Sequence, residues 1–121
     1  MKSIMIVDDS KIMRTIVKNT VELLKVPCRY FEAEDGNRAL EILEANPVDL
    51  VLLDWNMPNL SGIDFLKKIR AMDKYRDIPV IMVTSEAARL NVVEAVKAGV
   101  TSYVTKPISD DVFMEKVGKY L

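Results

Sequence analysis

Histidine is absent from this sequence of 121 residues, and cysteine and tryptophan each occur only once. Without histidine the chain cannot build a histidine metal site, a Ser-His-Asp triad or a phosphohistidine of its own. The lone Cys28 excludes an internal disulfide and is typical of a protein from a reducing compartment. We therefore expect a cytoplasmic location and a chemistry that does not use histidine.

Long apolar runs and an excess of positive charge are also missing. No run approaches the roughly 20 apolar residues that a membrane span needs, and the N-terminal run is too short for a signal peptide. The 17 basic and 18 acidic residues nearly balance, which argues against a nucleic-acid binder. The glycines, at positions 36, 62, 99 and 118, are too scattered for a P-loop or a GxGxxG motif. These features predict one monomeric domain over residues 1–121 that binds neither membrane nor nucleic acid.

Short apolar runs alternate with segments whose apolar residues recur at helical spacing. The predicted strands are residues 4–7, 30–33, 50–53, 80–83 and 103–104. Ser10 and Ser109 are predicted N-caps of the first and last helices, and Gly99 a C-terminal glycine of the fourth. The helical positions include Ile12 and Ile16 in the first helix and Leu90, Val93 and Val96 in the fourth. This (βα)5 pattern predicts an α/β fold with parallel strands and right-handed crossovers.

The composition of the strands predicts their order. The first, third and fourth runs are uninterrupted apolar segments, which indicates strands covered on both faces. The second run lies in the stretch CRYFEA at 28–33, which carries Arg29 and Glu32, and the fifth run is short and flanked by polar residues, so both suit sheet edges. We therefore predict a doubly wound, five-stranded parallel sheet in the order 2-1-3-4-5, as in flavodoxin-like folds.

Polar residues follow the predicted central strands directly. Asp8 and Asp9 follow the first strand, Asp54 the third and Thr84 the fourth, while Lys106 follows the last strand. In open α/β sheets, sites lie at the carboxyl ends of the strands, near the point where strand order reverses. Three carboxylates in one crevice would repel one another unless a cation joined them. The pattern predicts a Mg²⁺ site, with Mn²⁺ as an alternative ion.

The remaining residues suit phosphoryl transfer. A carboxylate can attack phosphorus and form an aspartyl-phosphate, and Asp54, alone at the end of its strand, is the expected nucleophile. Lys106 offers an ammonium group to a phosphoryl oxygen, and Thr84 offers a hydroxyl. Such a reaction depends mainly on positioning and charge neutralisation.

Four stretches in this order make the chain resemble the response-regulator receiver domains along essentially its whole length. They are VDDS at 7–10, LLDWNMPNLSG at 52–62, VTSE at 83–86 and TKP at 105–107. The resemblance implies Mg²⁺ binding by Asp8, Asp9 and Asp54, with the backbone carbonyl of Asn56 as a further ligand. It also implies that Asp54 is phosphorylated, that Thr84 and Lys106 bind the phosphoryl group, and that Tyr103 changes rotamer as Thr84 moves. A cis peptide before Pro107 is expected too.

The family's function would make the chain a signalling switch rather than an enzyme. Its members take a phosphoryl group from a phosphohistidine on a sensor histidine kinase, or from a small phosphodonor, and then bind a target protein. The chain is most like the stand-alone chemotaxis type, whose targets include the flagellar switch. Asn56 and Glu86 would set a self-dephosphorylation time of seconds to a few minutes. The implied output face comprises Ala87, Arg89, Val92, Tyr103, Lys116 and Lys119.

Three other functions are compatible with parts of this pattern. A phosphorelay shuttle remains the main alternative, because the start of the fourth helix, Ala87-Ala88-Arg89, has less lysine than motor-binding members carry. A haloacid-dehalogenase-type phosphatase would need a second aspartate where Asn56 stands. A flavodoxin-like electron carrier would need a phosphate-binding loop after the first strand, where Asp8 and Asp9 would repel phosphate. The sequence names neither the kinase nor the target.

Overall fold

The computed structural model describes residues 1–85 and 89–121. Strands and helices alternate along these residues, as the sequence pattern predicts. The strands are β1 (Lys2–Val7), β2 (Cys28–Ala33), β3 (Leu50–Leu53), β4 (Val80–Thr84) and β5 (Ser102–Thr105). The helices are α1 (Lys11–Glu22), α2 (Gly36–Ala45), α3 (Gly62–Arg70), α4 (Arg89–Lys97) and α5 (Asp110–Gly118), with a short 3₁₀ helix at Asp73–Tyr75.

The strands form one parallel sheet in the order β2-β1-β3-β4-β5, which confirms the predicted topology. Val7 pairs with Leu53, and Leu53 pairs in turn with Met82. The carboxyl ends of β1 and β3 are therefore level with each other, and β4 runs two residues further to Thr84. The residues that follow these strands consequently emerge at one edge of the sheet.

The core has two layers because successive strand residues point to opposite faces of the sheet. Met5 and Val7 of β1 pack in the layer that α2 and α3 cover, together with Phe65 of α3. Ile4 and Ile6 pack in the layer that α1 and α5 cover. Burial of these side chains, at about 1.5–3 kcal/mol each, is the main contribution that holds helices to both faces.

Helix ends agree with the sequence pattern, with one difference. The Ser10 hydroxyl accepts a hydrogen bond from the Met13 N–H at 3.2 Å, and Gly99 has a φ of 97° just after α4. Ser109 occupies the N-cap position of α5, but its hydroxyl makes no capping bond within the described part of the chain. Its backbone carbonyl accepts from the Phe113 N–H instead, at 2.9 Å.

Two helices expose apolar residues that helical spacing alone would place in a core. In α1, Ile12 is 75% exposed and Ile16 43% exposed, whereas Val17 is buried. In α4, Leu90, Val93 and Val96 are all exposed, and Ala95 is the buried position. The apolar stripe of α4 therefore faces away from the sheet. None of the described helices is long and apolar enough to cross a membrane.

Candidate functional site

Backbone hydrogen bonds between neighbouring strands bring the predicted site residues to one edge of the sheet. The Asp54 N–H donates to the carbonyl of Val7 at 2.9 Å, so Asp54 lies beside the end of β1. The Lys106 N–H donates to the carbonyl of Thr84, also at 2.9 Å. The turn after β1, the end of β3 and the β5–α5 loop therefore meet where the sequence predicted a site.

Asp8, Asp9 and Asp54 form an acidic cluster. One carboxylate oxygen from each residue lies within 4.8 Å of the others. Asp8 and Asp54 are only 4% and 8% exposed, whereas Asp9 is exposed. Because Asp9 is exposed, the cluster can be reached from solvent.

The cluster suits a hard divalent cation. Carboxylate oxygens are the ligands that Mg²⁺ and Mn²⁺ prefer, and a Mg²⁺ site commonly uses a few of them with water or phosphate oxygens in its other positions. Asn56, whose carbonyl the resemblance assigns to the metal, is exposed in the loop after β3. The residues that are present fit the expected ion in both type and spacing.

Lys106 lies against the same carboxylates. Its ammonium donates to Asp8 Oδ2 at 2.9 Å and lies 3.6 Å from Asp54 Oδ1, while its side chain is only 17% exposed. The Lys106–Pro107 peptide is cis, as the resemblance implied. From the sequence, a metal ion was expected to supply the positive charge that neutralises Asp8 and Asp9. The structure adds Lys106 as a cation that contacts Asp8 directly.

The environment of Asp54 disfavours its charged form. Burial is the largest influence and raises the pKa of the Asp54 carboxyl above its usual value, and the charge of Asp8 acts in the same direction. Three groups oppose this rise: the Lys106 ammonium, the Thr84 hydroxyl, and the Trp55 N–H that donates to Asp54 Oδ1 at 2.8 Å. These three groups therefore favour the ionised form of the Asp54 carboxylate.

Thr84 and Tyr103 stand on neighbouring strands. Thr84 is fully buried and hydrogen-bonds to Asp54. Tyr103 is half-buried and lines a cavity of about 270 Å³ between β5 and α5, together with Pro107 and Lys116. The Lys116 ammonium donates to the Tyr103 carbonyl at 2.6 Å. Of the two residues assigned to the switch, Thr84 therefore contacts the acidic cluster and Tyr103 lies next to α5.

The predicted output face is only partly described. The described residues include Val92 on α4, Tyr103 on β5, Lys116 on α5 and the exposed Lys119, which is the C-cap of α5. Glu86 and Ala87 lie outside them. Arg89 begins α4, but its side chain is not described.

Sequence reasoning assigned no role to the backbone packing around the loop between β3 and α3. Gly62 donates its N–H to the Trp55 carbonyl at 2.8 Å, and a Cβ at Gly62 would lie 1.8 Å from the carbonyl oxygen of Asp54. Asn59, with a φ of 67°, donates its side-chain amide to Asp35 at 2.7 Å. These contacts shape the loop that carries Asn56. In the sequence, the glycine at the end of NLSG, Gly62, could have indicated this close backbone packing.

Comparison with known proteins identifies the family. The model of the response regulator receiver domain matches residues 4–118. The chain is 44% identical over 115 residues to chemotaxis protein CheY1 of Helicobacter pylori strain J99, covering 94% of this chain and 92% of that protein. It is also 44% identical over 116 residues to chemotaxis protein CheY of Pseudomonas aeruginosa, covering 96% and 93%.

Solved structures of response regulators have the same fold as this chain. Vibrio cholerae chemotaxis protein CheY4 superposes with a TM-score of 0.88 at 28% identity, covering 100% of this chain and 99% of that one. The Mn²⁺-bound form of response regulator Rcp1 gives a TM-score of 0.84 at 27% identity, covering 98% and 91%. The fold, the acidic cluster and these similarities lead to one conclusion. The chain belongs to the response regulator receiver domain family and is similar to CheY chemotaxis proteins along nearly all of its length.

Proposed function

We propose that residues 1–121 form a single receiver domain that acts as a phosphorylation switch in chemotaxis or motility control. It accepts a phosphoryl group on Asp54 from a phosphohistidine of a partner kinase and then binds a target protein. The observation that carries the proposal is the environment of Asp54. Its buried carboxylate is flanked by the other two acids, by the Lys106 ammonium 3.6 Å away and by the hydroxyl of Thr84.

In the transfer step, an Asp54 carboxylate oxygen forms a bond to phosphorus while the phosphorus–nitrogen bond of the phosphohistidine breaks. The electron pair of that bond stays on the imidazole nitrogen, and an aspartyl-phosphate results. The Trp55 N–H, which donates to Asp54 Oδ1 at 2.8 Å, holds the carboxylate in a defined orientation. A fixed orientation favours in-line attack, because positioning accounts for much of this chemistry.

A divalent cation would be held by Asp8, Asp9 and Asp54, with the carbonyl of Asn56. When bound, Mg²⁺ would neutralise charge on the transferring phosphoryl oxygens. The similar Rcp1 structure is described as Mn²⁺-bound, which supports a divalent site and keeps Mn²⁺ as an alternative. Lys106 and Thr84 would bind the remaining phosphoryl oxygens, since both already reach the Asp54 carboxylate.

Lys106 must exchange partners during this process. In the structure its ammonium contacts Asp8 Oδ2 at 2.9 Å. A phosphoryl group on Asp54 brings additional negative oxygens close to an ammonium that is already 3.6 Å from that carboxylate. The point charge of a lysine on a flexible stem suits such a short movement better than a planar guanidinium would.

The output face would be the surface formed by α4, β5 and α5. Leu90, Val93 and Val96 expose an apolar stripe on α4. Lys116 lies on α5, and Lys119 is its C-cap. A target segment with apolar and acidic side chains would complement such a surface. Thr84 links this output face to the site. It lies on β4, which pairs with β5, the strand that carries Tyr103.

The decisive test uses the chain with Mg²⁺ and acetyl phosphate. Mass spectrometry should find one added phosphoryl group, stable in acid and labile in base, on Asp54. Asp54→Asn should remain folded and take up none, whereas the control Asp64→Asn, an exposed aspartate on α3, should be phosphorylated normally. A group on another residue, or sustained turnover of a chromogenic phosphate ester, would contradict the proposal.

The lifetime of the phosphoryl group separates fast signalling from slow control. Asn56 and Glu86 follow Asp54 and Thr84 by two residues each. Their polar side chains could hydrogen-bond an attacking water and would not shield the phosphorus as a bulky apolar or aromatic group would. We expect decay within seconds to about a few minutes, and slower decay in Asn56→Lys/Glu86→Tyr. Decay at the same rate in the wild type and the double variant would show that these positions do not control it.

A further inference from the structure

Arg14 joins three elements next to the acidic cluster. It lies in the first turn of α1, and its side chain is only 13% exposed. Its Nη1 donates to the backbone carbonyl of Asp8 at 2.6 Å, and its Nε donates to Glu32 Oε1 on β2 at 2.9 Å. One guanidinium therefore connects α1, the end of β1 and the edge strand β2.

The carbonyl that Arg14 binds belongs to the peptide between Asp8 and Asp9. Rotation of this peptide would move both carboxylates relative to each other. The Asp8 N–H is already held by the carbonyl of Ala33 at 3.0 Å, and Asp8 Oδ1 accepts from the Ser10 N–H at 2.9 Å. With the Arg14 bond, the amide, the carbonyl and the carboxylate of Asp8 are all restrained.

We infer that Arg14 is a positioning residue for the divalent cation, holding the Asp8–Asp9 peptide so that both carboxylates face the site. Glu32 orients the guanidinium and balances its charge, which would otherwise oppose a cation nearby. This inference rests on the proposed function, because it requires that the acidic cluster binds Mg²⁺. Neither Arg14 nor Glu32 would touch the ion.

The sign of the effect of removing Arg14 distinguishes positioning from simple electrostatics. If the guanidinium acted only through its charge, Arg14→Met would tighten Mg²⁺ binding, because a positive charge disappears near a cation site. Positioning predicts the opposite. Loss of a residue that orients metal ligands typically costs 10–100-fold in affinity, so we expect the Mg²⁺ Kd, measured by titration calorimetry, to rise about 10-fold.

Two further variants separate the charge of Arg14 from its geometry. Lys11→Met also removes one positive charge from the start of α1, but the Lys11 side chain is exposed. It should leave the Kd nearly unchanged or slightly lower. Arg14→Lys keeps the charge but loses the planar fork that reaches both acceptors, so it should restore the affinity only in part.

A double-mutant cycle with Glu32 tests the second half of the inference. Glu32→Ala should weaken Mg²⁺ binding in the wild type, because it releases the guanidinium from β2. In the Arg14→Met background the same change should have a smaller effect. An equal effect in both backgrounds would show that Glu32 acts through its charge alone and would overturn its assigned role.

Thermal unfolding in EDTA shows whether each variant is folded before titration. If Arg14→Met is not folded, Arg14→Lys compared with the wild type decides the question, because it keeps the charge and changes only the geometry. An unchanged or lower Kd in Arg14→Met, or full recovery in Arg14→Lys, overturns the inference while the proposed metal site stands. Failure of the wild type to bind Mg²⁺ overturns both. A raised Kd in Arg14→Met with the partial rescue supports the inference.

Discussion

At the scale of single residues, burial distinguishes Asp54 from most acidic side chains of this chain. It is 8% exposed, and desolvation is the largest influence on its raised pKa. On the proposed function Asp54 must be ionised to attack phosphorus, so that desolvation has to be offset. The Lys106 ammonium, the Thr84 hydroxyl and the Trp55 N–H all act in this direction, because each lowers the pKa of the Asp54 carboxyl.

Keeping Asp54 charged should reduce the stability of the metal-free protein at neutral pH. Folding raises the pKa of Asp54, so the protonated carboxyl contributes to the free energy of unfolding. This contribution is fully present below the usual aspartate pKa of 3.8 and is lost as the pH rises through the raised pKa of the folded state. Asp54→Asn should therefore raise the melting temperature at pH 7 in EDTA. Each kcal/mol corresponds to about 3–6 °C in a domain of this size.

The gain in Asp54→Asn should shrink as the pH falls towards 4, because the wild-type carboxyl then becomes neutral as well. Asp9→Asn is the matched control, since it removes an exposed carboxylate from the same cluster. If burial of Asp54 is the main cost, Asp9→Asn should raise the melting temperature less than Asp54→Asn does. Equal gains in the two variants would instead indicate that repulsion between carboxylates is the main cost.

At the scale of elements, the loop between β3 and α3 depends on close backbone packing at Gly62. A Cβ there would lie 1.8 Å from the Asp54 carbonyl oxygen. This oxygen belongs to the backbone, which cannot move aside as easily as the end of a flexible side chain can. Gly62→Ala should lower the free energy of unfolding by about 3 kcal/mol or more. It should also slow phosphorylation of Asp54, since relief of the contact must move the end of β3.

Gly118→Ala provides a matched control for this prediction. Its added Cβ would lie 3.7 Å from the nearest side-chain atom, Leu24 Cδ2, which is ordinary contact. Gly118 ends α5, so the change should be neutral or stabilise by up to about 1 kcal/mol. Denaturant unfolding of both variants measures the difference. Similar stabilities for Gly62→Ala and Gly118→Ala would refute the packing argument.

Exposure of the α4 stripe is also a property at the scale of elements. Helical spacing of Leu90, Val93 and Val96 predicts a helix, and a helix forms, but these residues face solvent while Ala95 contacts the core. Small residues allow a helix to approach a sheet closely. The apolar stripe is consequently available for a partner rather than used for folding.

At the scale of the whole molecule, binding of Mg²⁺ should be linked to folding. The ligands come from the turn after β1 and the end of β3, which are 45 residues apart from Asp9 to Asp54 in the sequence, so only the folded chain assembles them. At a Mg²⁺ concentration ten times the Kd measured by calorimetry, the free energy of unfolding should rise by about 1.4 kcal/mol. Denaturant titrations with and without Mg²⁺ measure this increase.

The same increase should be largely lost in Asp9→Asn, which removes one proposed ligand and leaves the buried ones in place. A stabilisation by Mg²⁺ that is equal in the wild type and in Asp9→Asn would mean that the ion acts elsewhere on the surface. Sodium chloride at matched ionic strength separates specific binding of the divalent ion from general screening of the acidic cluster.

The sequence by itself determined the element order, the strand order and the set of residues at the carboxyl edge. It could do so because apolar runs, helical spacing and turn residues act locally, and because parallel strands place their carboxyl ends together. Asp8, Asp9, Asp54, Thr84 and Lys106 were all identified in this way. Their spatial proximity follows from topology and does not require side-chain detail.

Only the tertiary structure decided which contacts these residues make. Helical spacing cannot say which side of α4 meets the sheet, because that depends on the packing of all its neighbours at once. The bond from Arg14 to the Asp8 carbonyl and the approach of Gly62 to Asp54 likewise join segments that no local pattern relates. Such contacts depend on distances between elements, and these are set by the whole core rather than by any single stretch of sequence.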